Sequence, residues 1–157
     1  MKLGMVGLGR MGGGMTERLR GDGHEVMTYD PSEESTASSL EELASQLEAP
    51  RFVWLMIPAG DPTESAFQEL LGMLESGDSI VDGGNSNFRD SQRRNKEAEG
   101  HGVNFCDIGV SGGIWGLREG YCLMAGGPEE PVRALEPVLT SLAPKDGWAY
   151  VGPSGAG

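Results

Sequence analysis

Along the chain, short apolar runs of strand length alternate with longer stretches whose apolar residues recur at helical spacing. The runs are Leu3–Val6, Glu25–Tyr29, Phe52–Ile57, Ser79–Val81, Val103–Ile108 and Tyr121–Ala125. Most lack the polar alternation of a half-exposed strand, which predicts parallel strands covered on both faces. Between them, Met11, Met15 and Leu19 repeat at i, i+4, i+8. Leu40, Leu43, Ala44 and Leu47 form a second stripe, and Ala66, Phe67, Leu70, Leu71 and Leu74 a third. Val132, Leu135, Val138, Leu139 and Leu142 form a fourth. Each stripe predicts an amphipathic helix.

Helix start signals agree. "Asp61-Pro-Thr-Glu64" reads as an N-cap followed by proline at the first helical position and glutamate at the third. "Ser39-Leu-Glu-Glu42" reads as a capping box. The polar stretch Phe88–Gly100 predicts a solvent-facing helix entered at Asn87. Strand–helix alternation with short connections means a doubly wound, mostly parallel α/β sheet with helices on both faces.

Composition adds limits. The 157 residues suit one domain with a sizeable core. No apolar run approaches the ~20 residues of a membrane span, and the start lacks a signal-peptide core, so a cytoplasmic protein is expected. The formal charge of −12, with three lysines among 12 basic residues, argues against nucleic acid as a partner. That acidity fits either a high-salt habitat, where self-repulsion is screened, or an ordinary acidic surface. Cys106 and Cys122 lack metal-ligand spacing and are expected to be buried thiols; no metal site is expected. His24 and His101 flank glycines and read as turn or surface residues.

The chemistry is concentrated where strands end. "Gly7-Leu8-Gly9-Arg10-Met11-Gly12" follows the first strand and opens the first helix. The first glycine permits a tight turn and the second lets backbone approach a pyrophosphate. The third lets the helix pack on the sheet with its N-terminal amides facing the phosphates. Asp30 ends the second strand, where a carboxylate can accept both ribose hydroxyls. These features make the sheet a Rossmann-type dinucleotide-binding domain over residues 1–157. No cation among "Pro31-Ser-Glu-Glu34" is available to a 2′-phosphate, so NAD is expected over NADP.

"Ile57-Pro58-Ala59-Gly60" ends the third strand, where a loop can pass beside the nicotinamide or serve only as a turn. "Asp82-Gly-Gly-Asn85-Ser86" ends the fourth; Asn85 can bridge ribose and substrate hydroxyl, while capping by Ser86 or Asn87 is the local alternative. "Val110-Ser111-Gly112-Gly113" ends the fifth, a turn whose amides and hydroxyl can meet a carboxylate. No histidine is placed to make Ser111 a nucleophile. Trp115 in the next loop is a lid or, preferably, an anchor for another domain.

Together, "GLGRMG", "DGGNS", "VSGGIWGLREGYCLMAGG" and the closing "VGPSGAG" resemble the amino-terminal domain of 6-phosphogluconate dehydrogenases, within the β-hydroxyacid dehydrogenase superfamily. The third segment is most similar to the shorter, NAD-using branch. The resemblance implies oxidative decarboxylation of 6-phosphogluconate to ribulose 5-phosphate, with Gly7 to Gly12 on the pyrophosphate and Asp30 on the adenosine ribose. Ile57, Pro58 and Ala59 would flank the nicotinamide, with Met11 beside it, although Met11 also fits core packing. Asn85, Ser111, Gly112 and Gly113 would touch the substrate, a phosphorylated sugar acid.

The family's lysine base and glutamate acid lie on a helix beyond the closing motif. Its phosphate ligands come from a later helical domain, partly from a dimer mate. None has a counterpart here, so this chain is expected to carry no catalytic residue, to bind NAD and to be inactive alone. A full-length member is expected to be a homo-oligomer, and this chain a monomer or weak dimer. "VGPSGAG" is expected to be the hinge into the missing helix. Another β-hydroxyacid dehydrogenase, of the 3-hydroxyisobutyrate type, and a non-catalytic NAD-sensing module are the alternatives.

Overall fold

A computed structural model describes residues 1–157. In chain order the elements are β1 Lys2–Val6, α1 Arg10–Gly21, β2 Glu25–Tyr29, α2 Leu40–Ser45, β3 Phe52–Leu55 and α3 Asp61–Leu71. Then follow β4 Ser79–Asp82, α4 Phe88–Gly100, β5 Asn104–Ser111, a 3-10 turn Gly113–Trp115, α5 Gly116–Glu119, β6 Cys122–Gly126, α6 Glu129–Ala134, α7 Glu136–Leu142 and β7 Trp148–Gly152. The strands form one sheet in the order β2-β1-β3-β4-β5-β6-β7. All neighbours are parallel except β5 and β6.

The apolar stripes divide between the two faces of this sheet. Met15 and Leu19 of α1 join Val132, Leu135, Val138, Leu139 and Leu142 over Leu3, Met5, Trp54, Val81 and Cys106. Leu40 and Leu43 of α2, Phe67 and Leu70 of α3 and Ala98 of α4 cover Val53, Leu55, Ile80 and Phe105. Burial of strand residues on both faces is why these runs carry no polar alternation.

The structure departs from the sequence expectations at several places. The cap of α3 is Gly60, not Asp61: the amide of Glu64 bonds to the Gly60 carbonyl at 2.9 Å, so the helical ladder starts one residue earlier. The fourth stripe is two helices, because Pro137 has no N–H to continue the ladder of α6. Its apolar face nonetheless runs unbroken across the joint. The strand β7 was not legible: it sits at the sheet edge with a half-exposed alternating pattern. Cys122 is exposed rather than buried, since β6 is covered on one face only. The β5–β6 connection is too short for a crossover, which makes that pair antiparallel.

The capping box keeps Ser39 as its N-cap, and only its return bond moves by one residue. Ser39 Oγ accepts from the Glu42 amide at 3.0 Å, while Glu42 returns to the amide and hydroxyl of Ser38 at 2.6 Å each.

Helix α4 is mostly polar and buries Ser91, Arg94 and Ala98, one of them a charge. Arg94 is 1% exposed and reaches Glu64 of α3 at 2.9 Å and Asp82 of β4 at 3.4 Å. Glu64 also takes Arg93 at 2.7 Å, and chiefly that bond lowers its pKa to about 2 from an ordinary 4.5. A carboxylate lowered on folding contributes stability above its unfolded pKa and loses it as pH falls through the folded one. Asp107, raised by burial, has the opposite sign. The readout is therefore a difference. Glu64→Gln should lower the melting temperature at pH 7 and shrink its distance from the wild type between pH 4.5 and 2. A distance that stays constant over that window would show that the Arg93 bond does not couple to folding.

Candidate dinucleotide site

Strands β1 to β5 run parallel, so their carboxyl ends share one edge of the sheet. Strand order reverses between β1 and β3, and a crevice opens at such a switch point. Its floor is set by glycines. Gly7 has φ 92, and a Cβ there would lie 2.3 Å from the Met56 carbonyl oxygen. A Cβ on Gly12 would lie 2.0 Å from the Gly7 carbonyl oxygen, so the first turn of α1 rests directly on the loop. A Cβ on Gly9 would meet nothing within 4 Å, which leaves that side of the loop open to a ligand. Arg10 is exposed at the start of α1. Met11 is half-buried against the core, so its core-packing reading is met in part.

Asp30 is locked to this loop. Its Oδ2 accepts from the Leu8 amide at 2.7 Å, and its Oδ1 from the Ser32 amide at 2.8 Å and the Glu33 amide at 3.2 Å. The Leu8 bond, above all, holds the carboxyl below the usual carboxylate range. The Ser32 hydroxyl is a further donor to Oδ1 at 3.2 Å, so the acceptor site left for a ligand hydroxyl is on Oδ2, which takes only the Leu8 amide.

Asp30 borders a cleft of about 430 Å³ walled by Val6, Tyr29, Pro31, Leu40, Ile57, Pro58, Pro62 and Ala66. The lining also includes Ser32, Ser65 and a second carboxylate, Glu69; apolar walls with a few polar groups suit a flat heteroaromatic ring carrying a hydroxylated sugar. Pro58 is pinned by Thr63, whose hydroxyl donates to its carbonyl at 2.8 Å; Pro58 and Ala59 are exposed. Beyond Ser32, a second cleft of about 410 Å³ is lined by Leu8, Thr16, Glu17, Arg20, Glu33 and Glu34 among others. Arg20 there donates to the Val26 carbonyl at 2.7 Å. Three carboxylates and one committed cation disfavour a phosphate.

The remaining predicted residues separate into two groups. Asn87 caps α4 through the Arg89 amide at 2.9 Å, and the Ser86 hydroxyl donates to Asp82 at 2.6 Å. Both local roles are thus filled by neighbours, which leaves the exposed Asn85 amide uncommitted. Asn85, Ser86, Asp82, Asp107 and Gly157 line a small polar cavity of about 60 Å³. Ser111, exposed, stands apart from it. Asp82 pairs with Asp107, and β5 continues four residues further to Ser111, roughly 13 Å of strand.

Three contributors went unread in the sequence. Tyr121, 1% exposed, fills the space below the Ser111–Gly113 turn. A Cβ on Gly116 would lie 2.0 Å from its ring, one on Gly112 3.1 Å, and one on Gly14 2.7 Å from its hydroxyl. The ring therefore ties that turn to α1. Asp107 holds the closing glycine motif: its oxygens accept from the amides of Gly155 at 2.7 Å and Gly157 at 2.9 Å, and Ser154 donates to the Phe105 carbonyl at 3.0 Å. The segment expected as a hinge is docked on β5. Arg94 is the third. The signal for each was a charged or aromatic residue inside an otherwise apolar or helical pattern. Lys2 sits at the opposite edge, paired with Glu25 at 3.3 Å. No group of three His, Cys, Asp or Glu side chains is arranged to hold a metal ion. No helix is long and apolar enough to cross a membrane.

A family model described as the NAD binding domain of 6-phosphogluconate dehydrogenase matches residues 2–152. The chain is 39% identical to an NAD(+)-dependent, decarboxylating 6-phosphogluconate dehydrogenase of Haloferax volcanii, covering 100% of the chain and 55% of that relative. It is 37% identical to a decarboxylating 6-phosphogluconate dehydrogenase of Staphylococcus aureus, covering 99% and 37%. The chain therefore spans about half the length, or less, of these curated relatives. Among solved structures it resembles Plasmodium falciparum 6-phosphogluconate dehydrogenase with TM-score 0.92, 29% identity and coverage of 100% and 38%. It also resembles Mycobacterium tuberculosis 3-hydroxyisobutyrate dehydrogenase with TM-score 0.88, 28% identity and coverage of 99% and 56%.

The glycines make separable predictions. Gly12→Ala should destabilise the fold by about 2 kcal/mol or more, because its methyl has nowhere to go. Gly9→Ala, at φ −59 and facing open space, should leave the melting temperature almost unchanged while weakening NADH binding. Thermal melts and fluorescence titrations of both variants test this. Equal stability losses would remove the assignment of Gly9 to the ligand side.

Proposed function

The chain belongs to the family of NAD binding domains of 6-phosphogluconate dehydrogenase, and from that footing we propose that it prefers NAD and serves oxidative decarboxylation of a phosphorylated sugar acid, 6-phosphogluconate. The observation that carries the cofactor preference is Asp30. Its carboxylate is held ionised by the Leu8 amide at the mouth of the apolar cleft, where it can accept ribose hydroxyls. Glu33 and Glu34 stand where a 2′-phosphate would need cations. The nicotinamide, when bound, supplies a hydride acceptor. Gly7, Leu8, Gly9, Arg10 and Gly12 carry the pyrophosphate, and Met11, Ile57, Pro58 and Ala59 border the nicotinamide side. Asn85 bridges cofactor ribose and substrate, and Ser111, Gly112 and Gly113 meet the substrate carboxylate.

No group among these abstracts a proton at speed near neutrality. Asp107 lies close, but it is 6% exposed and its carboxylate anchors the amides of Gly155 and Gly157, which assigns it to holding that segment. The base and acid are accordingly assigned to a further domain, as is assembly into a homo-oligomer. The exposed, unpaired Cys122 fits a reducing, cytoplasmic setting. The fold's likeness to a 3-hydroxyisobutyrate dehydrogenase keeps a different β-hydroxy acid as the second reading of the substrate.

Titration of the chain should show NADH bound at least about tenfold more tightly than NADPH, a difference of ~1.4 kcal/mol. Asp30→Ala should abolish that preference. The chain alone should not turn over 6-phosphogluconate. Equal affinities for the two cofactors would refute the role of Asp30. Turnover near ordinary enzyme rates would refute the assignment of base and acid to another domain.

A further inference from the structure

We infer that Arg94 is a positioning residue that sets the Asn85 loop against the cofactor loop at Ile57–Gly60; this rests on the reading of Asn85 as a ligand contact. Arg94 is buried to 1% exposure on an otherwise polar helix, a placement that needs partners on every side. Its Nε donates to Glu64 at 2.9 Å, on the first turn of the helix that follows Ile57–Gly60. Its Nη1 lies 3.4 Å from both Asp82 Oδ2 and Ser86 Oγ. Asp82 in turn accepts from the Gly84 amide at 3.0 Å and from the Ser86 hydroxyl at 2.6 Å. The residues on either side of Asn85 are therefore both bound to the carboxylate that Arg94 faces.

The two loops also touch. A Cβ on Gly84 would lie 2.9 Å from the Ile57 carbonyl oxygen, and Thr63 holds the Pro58 carbonyl at 2.8 Å. A planar guanidinium can bond Glu64 and Asp82 in two directions at once; a lysine ammonium, a single point, cannot reproduce that fork.

The test uses the ligand-free chain first. In Arg94→Lys, backbone amide resonances of Gly83, Gly84 and Asn85 should shift together with those of Ala59 and Gly60. Glu64→Gln, which weakens the arm of the fork toward α3 and leaves Asp82 and Ser86 untouched, should also move the Gly83–Asn85 set and serves if Arg94→Lys does not fold. NADH titration follows. Arg94→Lys should weaken binding by about fivefold or more, and Asn85→Ala in that background should cost little further, since coupled residues are not additive. Shifts confined to α4, or losses that add independently, would overturn the proposal. Absence of NADH binding by the wild type would refute the proposed function, while the ligand-free resonances would still decide the role of Arg94.

Discussion

The approach of α1 to the loop after β1 is the constraint from which the site follows. With the missing Cβ of Gly12 placed 2.0 Å from the Gly7 carbonyl, the helix can begin only directly above the turn. That places its first amides at the edge of the sheet where β1 and β3 diverge, the position at which backbone N–H groups serve an anion. The Leu8 amide then faces β2, and Asp30 takes it at 2.7 Å. One close contact therefore sets the position proposed for a pyrophosphate and fixes the carboxylate proposed to meet the sugar beside it.

The rest of the edge is organised by buried charge rather than by apolar packing. Arg94 joins α3, β4 and α4, and Asp107 joins β5 to the glycines at 155 and 157. Both sit beneath loops that carry no regular structure. A buried charge with several partners has few alternative arrangements, which suits loops whose backbone must hold one shape. Tyr121 does the same by volume under the Ser111–Gly113 turn.

Much of this was legible in the residues. The strands β1 to β5 and the two-faced burial follow from runs such as Phe52–Leu55, which have no polar alternation. The glycine loop and Asp30 carry their spacing openly. The edge strand β7 was missed because Trp148–Gly152 is half exposed, so its pattern resembles a loop. Asp61 was misread as a cap because proline at the next position suits either register; only the Glu64 amide bond to Gly60 separates them. The tail Gly152–Gly157 looked like a hinge because its holder, Asp107, lies 48 residues from Gly155 in sequence. Spacing patterns report neighbours on one element, and Arg94, Asp107 and Tyr121 act across elements.

The central claim is that the β1–β3 crevice seats a dinucleotide with its adenosine ribose on Asp30. A crystal structure of the chain with NAD+ tests this most directly. The account predicts density crossing the open side of Gly9, with ribose hydroxyl oxygens within about 2.5–3.0 Å of the Asp30 carboxylate. Dinucleotide density lodged elsewhere, or ribose hydroxyls turned away from Asp30, would contradict it.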